Sequence, residues 1–147
     1  MAALGVAACG AGAGGALPGE SSLTTTLATD RAAYASGQPV GLILTVTNAG
    51  GAPVTLRFTS GQRYDFTIGP AGGDPVWRWS AGRAFIQMLG EERVSPGSRL
   101  EFRERYGGVL EPGRYRATGV VTAMDRQLEV AAEFTVVPSE ADPPPSR

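Results

Sequence analysis

Apolar and polar residues alternate along most of this chain, and a spacing of two puts each apolar set on one face of a strand. Leu23, Thr25 and Leu27 predict a first strand. Asp30 to Pro39 reads as a polar connection, broken by Gly37 and Pro39. Val40 to Asn48 is the clearest strand: Val40, Leu42, Leu44 and Val46 share one face, and β-branched residues suit a pleated surface. Asn48 to Gly51 predicts a turn, because Asn and Gly tolerate positive φ. Pro53 can open a strand but not sit inside one. Val54, Leu56 and Phe58 then form the next strand, and this pair is expected to be a hairpin.

Ser60-Gly61-Gln62 interrupts the alternation, and Tyr64, Phe66 and Ile68 resume it. Arg63 and Asp65 fall on the opposite face, close enough to pair with each other. A Gly/Pro-rich linker, Gly69 to Pro75, leads to an expected strand over Val76 to Ser80, with Trp77 and Trp79 on one face and Arg78 on the other. Ala84 to Leu89 fits either a strand or a helical turn; its shortness and its neighbours favour a strand. Ser95-Pro96-Gly97-Ser98 and Glu111-Pro112-Gly113-Arg114 carry the type II turn signature, Pro presetting φ and Gly taking the positive φ after it. Between them, Leu100, Phe102, Glu104 and Tyr106 alternate with Arg99, Glu101, Arg103 and Arg105, so one face is charged and wet. Tyr115 begins a strand, and Leu128 to Val136 alternates through Val130, Ala132 and Phe134. Eight or nine short strands with turns at roughly ten-residue spacing predict an all-β antiparallel sandwich.

Composition narrows the chemistry. The 147 residues contain no histidine and one cysteine, Cys9. Histidine-dependent triads, His-ligated metal sites and an intrachain disulfide are therefore excluded. No metal or cofactor is expected. The formal net charge of −1 offers no attraction to nucleic acid. All thirteen basic residues are arginine, as a genome biased towards Arg, Ala, Gly and Pro would produce. Three regions follow: a small, Gly/Ala-rich leader over 1–20, a sandwich domain over 21–137 and a Pro-rich tail over 138–147, too poor in apolar residues to fold.

Val6-Ala7-Ala8-Cys9 resembles a bacterial lipobox, in which the cysteine is lipidated; the Gly/Ala run behind it would be a flexible tether. Eight uncharged residues precede Cys9, fewer than a secretory leader needs. Two readings stand: an exported lipoprotein whose start lies upstream, or an Ala-rich leader. Any membrane association would be through Cys9 alone.

The middle of the chain carries a family pattern. Asn48 ends a long strand, Val54 to Phe58 spells V-T-L-x-F, and Ser60, Gly61, Gln62, Tyr64, Asp65 and Phe66 spell S-G-Q-x-Y-D-F. Trp77, Trp79 and Ser80 follow in V-W-x-W-S, then Phe85 and Gln87, and Leu110 to Tyr115 gives L-x-P-G-x-Y with Pro112 and Gly113. Over residues 40–123 this resembles the BsuPI family of intracellular proteinase inhibitors. The resemblance implies an immunoglobulin-like fold and inhibition of a serine protease of the subtilisin kind. The L-x-P-G-x-Y string is also similar to the tyrosine corner of immunoglobulin-like sandwiches, whose phenol bonds back to the loop before it.

An inhibitor needs an extended loop held at both ends. Ser80 to Ala84 could offer Arg83, and Gln87 to Val94 could offer Met88 or Leu89, which suit an apolar specificity pocket. The alternative is a non-catalytic envelope binding or assembly module. Trp77 and Trp79 could instead stack on sugar rings, although a tryptophan pair on one strand face is more often core. Paired carboxylates such as Asp65 with Glu101 or Glu104 do not stand out by spacing, and an enzyme is not expected. Asp65 reads as structural, its carboxylate accepting from Arg63, Ser60 or turn amides. Localisation stays open between the cell envelope, which the lipobox-like string implies, and the cytoplasm, which the family name implies.

Overall fold

The computed structural model describes residues 22–124, 126 and 128–139. Among these lie ten strands and no helix: β1 (Leu23–Thr29), β2 (Ala33–Ala35), β3 (Val40–Asn48), β4 (Val54–Phe58), β5 (Tyr64–Pro70), β6 (Trp77–Arg78), β7 (Gly90–Val94), β8 (Arg99–Tyr106), β9 (Gly113–Val121) and β10 (Leu128–Val137). The strands order as β2-β10-β9-β5-β6 in one sheet and β1-β3-β8 in a second, with β4 and β7 forming a two-stranded ribbon. All pairings are antiparallel except β2 with β10. The fold is an all-β sandwich.

The core lies where the alternating apolar faces meet. Leu42, Leu44 and Val46 of β3 are buried, with Leu23 and Leu27 of β1, and they face Phe66, Ile68, Ala117 and Phe134 of the larger sheet. Gly119, at the centre of β9, marks the closest approach. A Cβ there would lie 3.0 Å from Leu44 Cδ1 and 3.4 Å from Phe66, its cross-strand partner. A side chain at 119 would require Leu44, Leu27 and Phe66 to give way by a few tenths of an ångström. On β8 the alternation falls as read, with Leu100, Phe102, Glu104 and Tyr106 half-buried and the intervening charges exposed.

Four sequence expectations are corrected. First, β3 and β4 do not form a hairpin; β3 pairs with β1 and β8, and β4 pairs with β7. The reason is Asn48, fully buried. Its amide Nδ2 donates to Ala52 O (2.8 Å) and Val94 O (2.9 Å), and its Oδ1 accepts from Gly50 N (2.9 Å). Those bonds turn the chain out of the β3 ladder and tie it to the end of β7. Second, the connection from Asp30 to Pro39 contains β2, whose Tyr34 is buried and meets Phe134 edge-on at 5.4 Å. One large side chain between two alanines in a three-residue strand carries no periodicity to detect. Third, the strand read over Val76 to Ser80 is only Trp77–Arg78, and Ala84 to Leu89 is not a strand; the ladder resumes at Gly90. Fourth, Gly97 has the φ of +76° that a type II turn requires, but Gly113, although also at positive φ (151°), opens β9 and does not have the φ of that turn.

Candidate functional site

One end of the sandwich gathers the connection from β4 to β5 (residues 59–63), the connection from β6 to β7 (79–89) and the segment after β9 that carries Met124. Backbone bonds join them: Gly61 N to Ile86 O (2.7 Å), Thr122 N to Arg63 O (3.0 Å) and Met124 N to Arg57 O (2.7 Å).

Asp65 organises the first two. Its Oδ1 accepts from Phe66 N (2.9 Å) and Ser80 N (3.0 Å), and its Oδ2 accepts from the Ser80 hydroxyl (2.6 Å), with Arg78 Nη1 at 3.5 Å. The carboxylate is nearly fully buried, so these donors replace water. Of the partners expected for Asp65, a turn amide is present, that of Ser80, and the two side-chain partners are not. Arg63 and Ser60 bond elsewhere: Arg63 pairs with Glu92 (3.0 Å) and donates to Ser60 O (2.9 Å), its guanidinium 4.5 Å above the Phe58 ring. The missed partner is Ser80, fifteen positions along the chain. Trp79 N still bonds Phe66 O (2.9 Å), but at the next residue the carboxylate takes the Ser80 amide. That capture ends β6 and releases the chain from the sheet edge.

The aromatic residues of the motif close the same end. Tyr64 is sandwiched between Trp79 (4.6 Å) and Phe102 (4.8 Å), linking the two sheets, and its hydroxyl donates to Glu104. Trp77 packs on Tyr106 at 4.9 Å. The second face of Trp79 is covered by the Arg83 guanidinium at 4.4 Å. Both tryptophans are half-buried against the core, and neither ring is a free stacking platform. Gln62 Nε2 donates to Tyr64 O (3.0 Å), and the Gln62 backbone carbonyl accepts from the Thr122 hydroxyl (2.8 Å). At the other end of the sandwich, Tyr115 donates to Glu111 O at 2.7 Å, as the L-x-P-G-x-Y string predicts.

The candidate contact residues lie on the 79–89 connection. Arg83 is exposed but folded back, its Nε donating to Trp79 O (2.7 Å). Ile86, Met88 and Leu89 are 70, 65 and 76% exposed. Phe85 anchors the segment against Trp79 at 5.7 Å, the Gly61–Ile86 bond holds its middle, and the β4–β7 ladder receives it at Gly90, opposite Phe58. Their alternation has no facing layer to bury it, so it could not be told from a strand by period alone. The exposure of Met124 (59%), in the segment next to it, had no sequence signal at all. Cys9 lies outside the described residues.

The sequence model of the family described as BsuPI, intracellular proteinase inhibitor, matches residues 27–126. The chain belongs to this family. No curated protein matches the sequence. Among solved structures, the BsuPI chain is similar to the C-terminal domain of Wzt, at TM-score 0.51 and 13% identity over 82% of this chain and 77% of that one. It is similar to the sporulation control protein Spo0M from Bacillus subtilis, at TM-score 0.50 and 12% identity over 78% of this chain and 49% of that one. A β-glucosidase, EmGH1 from Erythrobacter marinus, matches at TM-score 0.45 and 13% identity over 78% of this chain, which spans 15% of the enzyme. The chain thus spans less than two thirds of several longer proteins it matches. At such identities the likeness concerns the fold alone.

The site also has a pH signature. Burial and a hydrogen bond to Glu104 push the Tyr64 phenol up to about 12, and burial with a hydrogen bond to Asp30 does the same for Tyr34. Both values lie above the ordinary 10.0, so the stability contributed by the neutral phenols is intact below pH 10 and is lost as pH rises towards 12. The chain has no lysine to titrate in that window. The urea midpoint should therefore fall between pH 10 and 12 in the native protein, and fall less in Tyr64→Phe. An equal fall in both would show that Tyr64 is not coupled to folding.

Proposed function

We propose that this BsuPI protein is a non-catalytic inhibitor that binds a serine proteinase of the subtilisin kind through the segment 84–89. The observation that carries the reading is an exposed apolar run, Ile86 to Leu89, tied at both ends: to Trp79 and Gly61 on one side and to the β4–β7 ladder on the other. A loop held in one conformation loses little entropy on docking, and its cleaved ends would stay in place. Met88 or Leu89 would enter an apolar specificity pocket. Arg83 is the weaker candidate because its guanidinium is already engaged with Trp79. The Tyr115–Glu111 bond supports reading the sandwich as immunoglobulin-like.

The test is titration of a subtilisin-type serine proteinase with the full chain. Stoichiometric, saturable loss of activity with the inhibitor largely uncleaved is expected. Full activity at roughly 50 µM chain, well above the Kd of even micromolar complexes, would sink this reading. It would favour an envelope binding module that uses the same apolar surface. The string Val6 to Cys9 supports a lipid anchor in either case. Cys9→Ser should release the protein from the membrane fraction of a bacterial host, and unchanged fractionation would remove the anchor from consideration.

A further inference from the structure

We infer that the inhibitor makes a second contact with its proteinase, at a groove between Leu89 and Met124 that receives one uncharged apolar side chain from the proteinase surface. This rests on the proteinase reading above. Single exposed apolar residues are ordinary on any surface. Here two of them, from connections far apart in the chain, line one groove with Arg57, Phe58, Gly90 and Glu91. Leu89 is 76% and Met124 59% exposed, while the Phe58 ring beneath is fully buried.

The groove is built rather than incidental. At Gly90, one of its lining residues, a Cβ would lie 2.7 Å from the Arg63 guanidinium, so glycine is what lets Arg63 pack over Phe58 there. The Met124 amide is held by Arg57 O at 2.7 Å, so the backbone is fixed while the thioether stays exposed. The charged rim neutralises itself, with Arg57 Nε 3.8 Å from Glu91 Oε2. Among the described lining residues no net charge is left to attract an ionic group, and the apolar walls favour an apolar one. A methionine suits this role, because its unbranched, polarisable side chain adapts to an irregular partner. We assign the proteinase as occupant because Leu89 belongs to both surfaces: a proteinase seated on Met88 and Leu89 would lie beside the groove that Leu89 lines.

The experiment measures Ki and dissociation rate for full-length Met124→Asp and Met124→Leu against a subtilisin-type proteinase, with thermal unfolding of each variant. Met124→Asp should weaken inhibition by about 30-fold or more, mainly through faster dissociation, as loss of a buried apolar anchor does. Met124→Leu should stay within about threefold, and both should unfold as the native chain does. Oxidation of Met124 by hydrogen peroxide should also slow in the complex. Inhibition by Met124→Asp within about threefold of native, while Met88→Asp/Leu89→Asp abolishes it, would overturn the second contact and leave the loop reading standing. Absence of inhibition by the native chain would overturn both.

Discussion

Met88→Asp/Leu89→Asp should weaken proteinase inhibition by roughly two to three orders of magnitude while leaving the urea midpoint of unfolding unchanged. Each side chain is largely exposed, so the free protein loses little by the exchange. In the complex each would be buried, and truncating a central apolar anchor costs about 2 kcal/mol or more, with an added penalty for placing a carboxylate in a dry pocket. Two such losses amount to about 4 kcal/mol if additive, or roughly three orders of magnitude at 1.4 kcal/mol per tenfold, and somewhat less where the two share one pocket. Measuring Ki and stability on one preparation separates contact from folding. A Ki within about threefold of native would remove the 84–89 segment as the principal contact. Unfolding of the variant would instead show that the segment supports the core.

Asp65→Ala should lower stability by about 2–4 kcal/mol, because it leaves the Phe66 amide and both Ser80 donors without a partner at a buried position. Ser80→Ala removes one hydroxyl bond and should cost about 1 kcal/mol. Combining the two should cost less than their sum, since they share one interaction. Urea unfolding checks all three. The Asp65 variant should also be cut faster by trypsin after Arg83, because the Ser80 clamp that starts the 81–89 segment is lost. Equal cleavage rates in native and variant protein would mean that Phe85 and the Gly61–Ile86 bond suffice to hold the segment.

Some of this site was legible in the residues and some was not. The motif strings around Asp65 and Ser80 marked a place where chemistry, rather than periodicity, governs the backbone. A carboxylate flanked by Tyr64 and Phe66 on a strand must find donors or remain exposed, so a structural role could be read from residue type alone. Which donors it finds could not. Arg63 is nearer in sequence, yet it lies over Phe58 and reaches Glu92, while Ser80 arrives from the next strand. The candidate loop was named through Met88 and Leu89, but its neighbour Met124 was not. Nothing in the sequence around Met124 brings it beside Leu89; the bonds from Thr122 to Arg63 and from Met124 to Arg57 do.

The amino-acid pattern specified the all-β class, the buried faces of β1, β3, β5 and β10, and the charged outer face of β8. Each follows from alternation, which sets the direction of a side chain whatever the partner strand. Tertiary structure alone decided which strands pair. Asn48 sends β4 away from β3 to β7, and the Asp65 carboxylate ends β6 at Ser80. It also decided that the apolar run from Ile86 to Leu89 stays exposed. Period-two spacing reports that one face could be buried. Only the presence of a second layer opposite decides whether it is, and among the described residues no second layer covers Ile86, Met88 and Leu89.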